Sequence, residues 1–214
     1  MKTNSIAGGV GLLACLALAA GVAGCRIQTE KGANGQDKNV QVDTPFGGVH
    51  VNTGQTTAAD LGLPVYPGAR IAPDSDDDKS ADVHMGFGDW EMRVKIVNYS
   101  VADNQDKVAA YYKKALDRYG DVISCQDGAP VGTPAKTSEG LACDNKGQMS
   151  VTVGDKGVSA GNQSSNEKGY QLRAGSVRHQ HIVAFESSAP GQTRFTLMAI
   201  DLPSFAAGGP RKSN

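Results

Sequence analysis

The sequence lacks an excess of charge of either sign. Its 214 residues include 21 lysines and arginines and 22 aspartates and glutamates, which gives a formal net charge of -1. A protein that binds nucleic acid through phosphates needs a basic surface, so this balance argues against nucleic acid as a partner. The chain also shows no internal repeat, and its 27 glycines and 9 prolines stay below the level of a low-complexity chain. Length and composition therefore predict one folded domain with many turns.

Long hydrophobic runs are missing except at the start of the chain. Lys2 precedes residues 6–24, which contain no charged side chain and are mostly Ala, Gly, Leu and Val. A basic segment followed by an apolar one is typical of an export signal. Glycines near the start of the run make it a poor permanent membrane helix. We therefore predict a cleaved signal peptide over residues 1–24.

The apolar run ends in Val22-Ala23-Gly24-Cys25, which resembles the lipobox of bacterial lipoproteins. That resemblance implies cleavage before Cys25, a diacylglyceryl group on the Cys25 thiol and acylation of the new amine. Two or three acyl chains anchor a protein stably, since each buried methylene contributes about 0.8 kcal/mol. The protein would then be held on a membrane without crossing it. The alternatives are an unmodified Cys25 after an ordinary signal, or an uncleaved membrane anchor.

The residue after the predicted lipidated cysteine is Arg26. In lipoproteins of Gram-negative rods an aspartate at that position tends to retain the protein in the inner membrane. The resemblance therefore favours the outer membrane if the source has two membranes. The chain after residue 24 carries 20 basic and 22 acidic side chains, which argues against a polybasic lipid-binding surface.

Cysteine is scarce in the exported part of the chain. Cys15 lies in the predicted signal and Cys25 in the lipobox, so only Cys125 and Cys143 remain. The compartment outside the inner membrane is oxidising, and the segment between these two cysteines is rich in Gly, Pro, Thr and Ser. We predict a disulfide between them. A metal or redox pair is the alternative, although the spacing is not that of a Cys-x-x-Cys motif.

Hydrophobic patterning divides the exported chain into three parts. Residues 25–60 contain the lipidated cysteine, a polar tether over residues 26 to about 38, and a small hairpin over 39–52. Residues 61–205 form the folded domain, and residues 206–214 are a polar tail. The domain opens with residues 63–69, LPVYPGA, which together with the following strand pair and Tyr-Tyr helix resemble secreted bacterial proteins of unassigned function. That resemblance implies no activity.

The domain shows one helical pattern among several strand patterns. Apolar and polar residues alternate over residues 90–96, which predicts a half-buried strand paired with residues 81–88. Asp103 is the candidate N-cap of a helix over about 104–119, with apolar residues at helical spacing and Gly120 at its end. Further short strands are predicted near residues 121–126, 148–153, 170–174, 179–186 and 194–202. We predict an α+β domain with one helix packed on a curled, mostly antiparallel sheet of six to eight strands.

Two sets of side chains are candidate metal ligands. Asp74, Asp76, Asp78 and Asp82 begin with the spacing of an EF-hand loop, but Lys79 replaces the turn glycine and Met85 replaces the bidentate glutamate. The set predicts either a weak calcium site or a solvated acidic loop.

His179 and His181 are two residues apart on a predicted strand and so project to one face. They would chelate a transition metal with a third ligand such as His84 or His50. The alternative is that both histidines form the rim of a packed face.

One motif is typical of hydrolases. Residues 157–161, GVSAG, match the Gly-x-Ser-x-Gly nucleophile elbow with Ser159 at its centre. No helical pattern follows the motif, and no histidine follows Asp201 to complete the order of a catalytic triad. We favour a hairpin turn over a catalytic serine.

The anchor and the lack of a complete catalytic set predict a lipid-anchored bacterial envelope protein without enzymatic activity. Its domain would bind another envelope component, either a protein or a polymer, and would need no cofactor beyond the covalent lipid. A weak metal- or small-ligand-binding lipoprotein, using residues 74–82 or the His179 and His181 pair, is the alternative. An envelope hydrolase using Ser159 is the third hypothesis.

Overall fold

The computed structural model describes residues 26–31, 37–72, 80–144, 150–154, 157–161, 169–186 and 191–203. Thirteen strands, one α-helix and two short 3-10 helices lie within these ranges. The strands are β1 Arg26–Lys31, β2 Asp37–Thr44, β3 Gly47–Thr53, β4 Arg70–Ile71, β5 Ser80–Phe87, β6 Trp90–Val101, β7 Val122–Gln126, β8 Ala129–Pro130, β9 Ser150–Gly154, β10 Gly157–Gly161, β11 Tyr170–Gly175, β12 His179–Glu186 and β13 Thr193–Asp201. The helix α1 is Gln105–Leu116, and the 3-10 helices are Ala58–Leu61 and Asp117–Tyr119.

Eleven of the strands form one antiparallel sheet. Its order is β1-β2-β3-β5-β6-β13-β12-β11-β7-β8, and β4 pairs with β6 outside this path. The strands β9 and β10 form a separate hairpin. The predicted α+β class with one helix on an antiparallel sheet is confirmed. The prediction of six to eight strands is too low because short or polar strands such as β1, β4 and β8 carry no hydrophobic alternation.

The segment predicted as a tether is in part a strand. Residues 26–31 form β1, which pairs along β2 from Arg26 opposite Asp43 to Glu30 opposite Asn39. The strands β2 and β3 form a hairpin, and β3 continues the sheet by pairing with β5. A polar edge strand can be held by backbone hydrogen bonds to its neighbour, which hydrophobic patterning does not detect. The chain is therefore in a strand from the residue after Cys25.

The predicted helix is confirmed, but its N-cap is not Asp103. The side chain of Asn104 accepts a hydrogen bond from the Lys107 amide and so caps α1. Asp103 instead accepts a hydrogen bond from the Tyr66 hydroxyl at 2.9 Å and forms an ion pair with Lys107 at 3.0 Å. These contacts lower the pKa of Asp103, with the Lys107 contact contributing most. Both residues are good caps, so the sequence alone does not distinguish them.

The helix packs its apolar stripe on one face of the sheet. Val108, Tyr112 and Leu116 are fully buried there. The Tyr112 hydroxyl donates a hydrogen bond to the Pro64 carbonyl and accepts one from the Tyr66 amide. These bonds fasten the proline-rich opening of the domain to the helix. The 3-10 turn of Asp117–Tyr119 extends the helix by one turn.

Apolar side chains are buried on both faces of the sheet. Ile96 and Val97 are adjacent in β6, point to opposite faces and are both buried. The cluster on the helix face includes Val97, Tyr99, Leu172, Val183, Phe185, Phe195 and Leu197. The cluster on the opposite face includes Val83, Met92, Val94, Ile96, Ile182, Ile200 and Leu202. The prediction of a half-buried strand therefore holds only for the first part of β6.

The predicted disulfide is confirmed. Cys125 in β7 is joined to Cys143, with their Cα atoms 5.5 Å apart. Both cysteines are buried with Ile123 and Leu141, so the loop between them closes over the sheet.

Beside this loop the fully buried Arg173 donates two hydrogen bonds to Gln171 Oε1, at 2.7 and 3.0 Å.

Removing this disulfide should lower the free energy of unfolding by about 3 kcal/mol, because the unfolded chain regains the entropy of an open loop. Urea unfolding of the protein with and without a reducing agent measures the difference. The double variant Cys125→Ala/Cys143→Ala is the control and should give the same urea midpoint in both buffers. A wild-type midpoint that does not respond to the reducing agent would contradict the prediction.

Candidate functional site

A row of polar side chains crosses seven strands of the sheet in direct register. Residues that face each other across neighbouring strands share one face of a sheet. The pairings of β1, β2, β3, β5, β6, β13 and β12 place one residue of each strand in this row. The row consists of Gln28, Gln41, His50, His84, Arg93, Asp201 and His179. We call the surface around it the polar face; it is the helix side of the sheet, beyond the area that α1 covers.

Several charged groups of the polar face form ion pairs with one another. Arg93 binds the Asp82 carboxylate through two nitrogens, at 3.0 and 2.6 Å. His84 Nε2 lies 2.8 Å from a Glu91 carboxylate oxygen. His179 Nδ1 lies 2.8 Å from an oxygen of Asp201. The carboxylates thus already have partners on the same surface.

The two histidines at the centre of the row contact each other. The rings of His50 and His84 lie edge to face with their centroids 6.1 Å apart. His50 Nε2 also lies 3.0 Å from Asp43, whose other oxygen accepts a hydrogen bond from Gln41 at 2.6 Å. The contact with His50, followed by that with Gln41, lowers the pKa of Asp43. Asp43 is therefore ionised at neutral pH and orients both partners.

A polar hollow of about 530 Å³ lies over the first three strands. The polar residues that line it are Gln28, Thr29, Glu30, Asn39, Gln41, His50 and Asn52. Asn39 donates to a Glu30 carboxylate oxygen at 2.7 Å, while its Oδ1 atom is buried and has no hydrogen-bond partner. A buried carbonyl oxygen without a partner is costly unless a ligand or water satisfies it. The hollow therefore combines amide donors and acceptors with one free acceptor.

The two histidines proposed as metal ligands have different surroundings. His181 stacks on Tyr119, with ring centroids 3.6 Å apart and planes inclined by 13°. The Tyr119 hydroxyl donates to the Gly62 carbonyl at 2.7 Å, which fixes the ring that covers His181. Burial lowers the pKa of His181, although a hydrogen bond to the Leu61 backbone partly opposes the shift. His179 is exposed and pairs with Asp201 instead.

The other predicted metal ligands are not brought together by the described residues. Asp82 is held by Arg93, as given above, and the remaining aspartates, Asp74, Asp76 and Asp78, lie outside the described residues. Within the ranges that the structure describes, no group of three or more His, Cys, Asp or Glu side chains is arranged to hold a metal ion. A metal site here stays a hypothesis.

Ser159 lies within a strand and not at a turn between a strand and a helix. It is in β10, opposite Thr152 of β9. The favoured interpretation placed it in the turn of a hairpin, whereas it occupies one of the hairpin's strands. A nucleophile elbow needs a sharp strand-to-helix turn, so the backbone at Ser159 is not that of a nucleophile elbow.

The amide-lined hollow was not predicted from the sequence. Its signal is present in β2 and β3, where hydrogen-bonding residues alternate with valines at positions 40, 42, 49 and 51. That alternation predicts a half-buried hairpin but does not distinguish a binding face from an ordinary solvated face. The hollow depends on the strand register, which places residues of β1, β2 and β3 side by side.

The predicted anchor itself lies outside the described residues, since these begin at Arg26. Within the described ranges no helix is both long enough and apolar enough to cross a membrane.

Protonation of His181 should destabilise the protein. Its pKa is lowered below the ordinary value of 6.5, so the unfolded chain binds the proton more readily and stability falls as the pH drops below about 6.5. We expect the melting temperature of the wild type to decrease more between about pH 7.5 and about pH 5.5 than that of His181→Phe, which keeps a ring on Tyr119. Val131→Ser, an exposed substitution that removes no titratable group, is the control and should keep the wild-type pH dependence. Equal decreases in wild type and His181→Phe would contradict this role.

Comparisons with known proteins do not assign the chain to a family. No family model matches it, and no curated protein and no solved structure matches it either. What the protein does is therefore inferred from its own residues and geometry.

Proposed function

We propose that this protein is a lipid-anchored bacterial envelope protein without enzymatic activity, whose polar face binds a neutral, hydroxyl-rich polymer of the envelope. The observation that carries the proposal is the amide-lined hollow over β1, β2 and β3, with the unpartnered Asn39 Oδ1. Amide side chains both donate and accept hydrogen bonds, as sugar hydroxyl and N-acetyl groups do. A glycan strand is the envelope polymer with that chemistry.

The charge arrangement supports a neutral ligand. The carboxylates of Asp43, Asp82 and Glu91 are engaged by His50, Arg93 and His84 respectively. Arg93 is thus already neutralised on the surface and offers little to an anionic ligand such as a phosphate. Binding would depend on hydrogen bonds from the amides, and a long open face suits a polymer that contacts several strands at once.

The position of the hollow fits the predicted anchor. Arg26 begins β1 and directly follows Cys25, which the lipobox resemblance marks for acylation. β1 and β2 line the hollow, so acyl chains on Cys25 would hold the binding face close to the membrane. An envelope protein built in this way would keep a polymer near the membrane surface.

The anchor predicts a change in fractionation. Cys25→Ser should abolish acylation, because the diacylglyceryl group is attached through the cysteine thiol. The variant should then appear either in the soluble fraction or as a precursor that keeps residues 1–24. Cell fractionation with mass spectrometry of the mature N-terminus checks this. Cys15→Ser, within the predicted signal, is the matched control and should leave the protein in the membrane fraction. Wild-type protein whose N-terminal peptide lacks acyl mass would refute the anchor.

The hollow predicts binding to an insoluble glycan. We expect Asn39→Ala/Gln41→Ala to weaken binding to purified peptidoglycan in co-sedimentation about thirtyfold, since two hydrogen bonds of about 1 kcal/mol each are lost. Gln105→Ala, an exposed amide at the start of α1, is the control and should bind as the wild type does. Unchanged binding of the double variant, or no binding of the wild type, would remove the glycan as ligand.

A further inference from the structure

One end of the sheet gathers three structural elements next to Cys25. Arg26 at the start of β1 faces Asp43, close to the turn between β2 and β3. Gly47 after that turn faces Phe87, the last residue of β5 before its turn into β6. The beginning of β1 and both turns therefore lie at the same end of the sheet. We call this region the anchor end.

The anchor end exposes large apolar side chains. Ile27 is 69% exposed, Phe46 is 83% exposed and Phe87 is 48% exposed. The ring of Trp90 lies 5.9 Å from that of Phe87 and extends the same patch. Single exposed apolar residues are common on soluble proteins, but aromatic and aliphatic side chains clustered at one end mark a contact surface.

The apolar patch continues along one face of the sheet. Ile27 begins a cross-strand row whose members are all apolar: Ile27, Val42, Val49, Met85 and Met92. This row lies on the face opposite to the polar face, because its members alternate with the polar residues along each strand. The first five strands of the sheet path are thus amphipathic, with the binding hollow on one side and the apolar row on the other.

We propose that the anchor end docks on the lipid surface beside the acylated Cys25, with Ile27, Phe46, Phe87 and Trp90 in the membrane interface. The proposal rests on the lipid anchor of the proposed function. Cys25 directly precedes Arg26, and one residue spans at most about 3.6 Å, so the acyl chains enter the bilayer next to β1 and leave no tether between anchor and sheet. Aromatic rings are favoured at the headgroup level, where apolar and polar surroundings meet.

Docking would also fix the orientation of the polar face. A sheet held only by a long tether would rotate freely, whereas contact through the anchor end presents the hollow at a constant height and angle above the membrane. Asp89 lies between Phe87 and Trp90, in the turn after β5, and would lie among the headgroups.

Trp90 provides the test, because it is the one tryptophan in the whole chain. The lipidated mature protein is reconstituted into phosphatidylethanolamine and phosphatidylglycerol vesicles that contain brominated acyl chains. We expect its fluorescence to fall by about half relative to vesicles without bromine, since quenching requires contact with the lipid. Phe46→Ser/Phe87→Ser should lose most of this quenching. Val131→Ser, which removes an exposed apolar side chain of similar accessibility beyond β8, should keep it.

The outcomes separate the docking from the anchor. Protein that carries acyl chains and floats with the vesicles, yet shows no quenching of Trp90, would overturn the docking and leave the anchor intact. Equal quenching in wild type and Phe46→Ser/Phe87→Ser would also overturn the role of these side chains. A mature protein without acyl chains would refute the anchor and this inference with it. Melting curves of the variants show whether they are folded. If the double variant does not fold, Phe46→Ser alone replaces it in the quenching measurement, because Phe46 is the most exposed of these side chains.

Discussion

The antiparallel pairing of β6 with β13 is the constraint on which the rest of the structure depends. It runs from Val101 opposite Thr193 to Arg93 opposite Asp201 and joins segments that are far apart in the sequence. On one side it supports β5, β3, β2 and β1, and on the other it supports β12, β11 and β7. Side chains alternate along every strand, so this register decides which face each residue of the sheet occupies. A slip of one residue would turn the apolar residues of β13 away from α1.

The extent of α1 then divides the helix side of the sheet into two areas. Under the helix the sheet presents aromatic residues, with Tyr99 stacked on Phe195 and Tyr112 packed against that same phenylalanine. Beyond the helix the same face carries the polar row. The stack of His181 on Tyr119 lies at the boundary, because His181 is two residues from His179 of the polar row in β12. The helix side of the sheet thus changes from aromatic to polar residues at the edge of the area that α1 covers.

The sequence predicted the elements whose patterns have a single physical explanation. The helix was found because Val108, Tyr112 and Leu116 recur at helical spacing, and β12 was found over its full length because its apolar residues lie between clear turns. The disulfide was predicted because Cys15 falls in the predicted signal and Cys25 in the predicted lipobox, which leaves two cysteines and one pairing. The strand β1 was missed because Arg26, Gln28 and Glu30 supply no apolar alternation, and its place in the sheet comes from backbone pairing with β2. The polar face was missed for a related reason, since hydrogen-bonding residues on a solvated strand face look alike whether or not they meet a ligand.

The sequence by itself determined the antiparallel α+β class, the helix that ends before Gly120, the cysteine pairing and the short-range alternation that makes each strand two-sided. The elements and their alternation depend on neighbours within a few residues, and the cysteine pairing depends on the number of cysteines left after the predicted signal and lipobox. Only the tertiary structure decided that Gln28, Gln41, His50, His84, Arg93, Asp201 and His179 form one row, and that β1 and the two turns carrying Phe46 and Phe87 meet at one end. These neighbours come from different strands, and their alignment depends on strand order and register. Both are set by long-range pairing and by the burial of apolar side chains against α1, which no local pattern encodes.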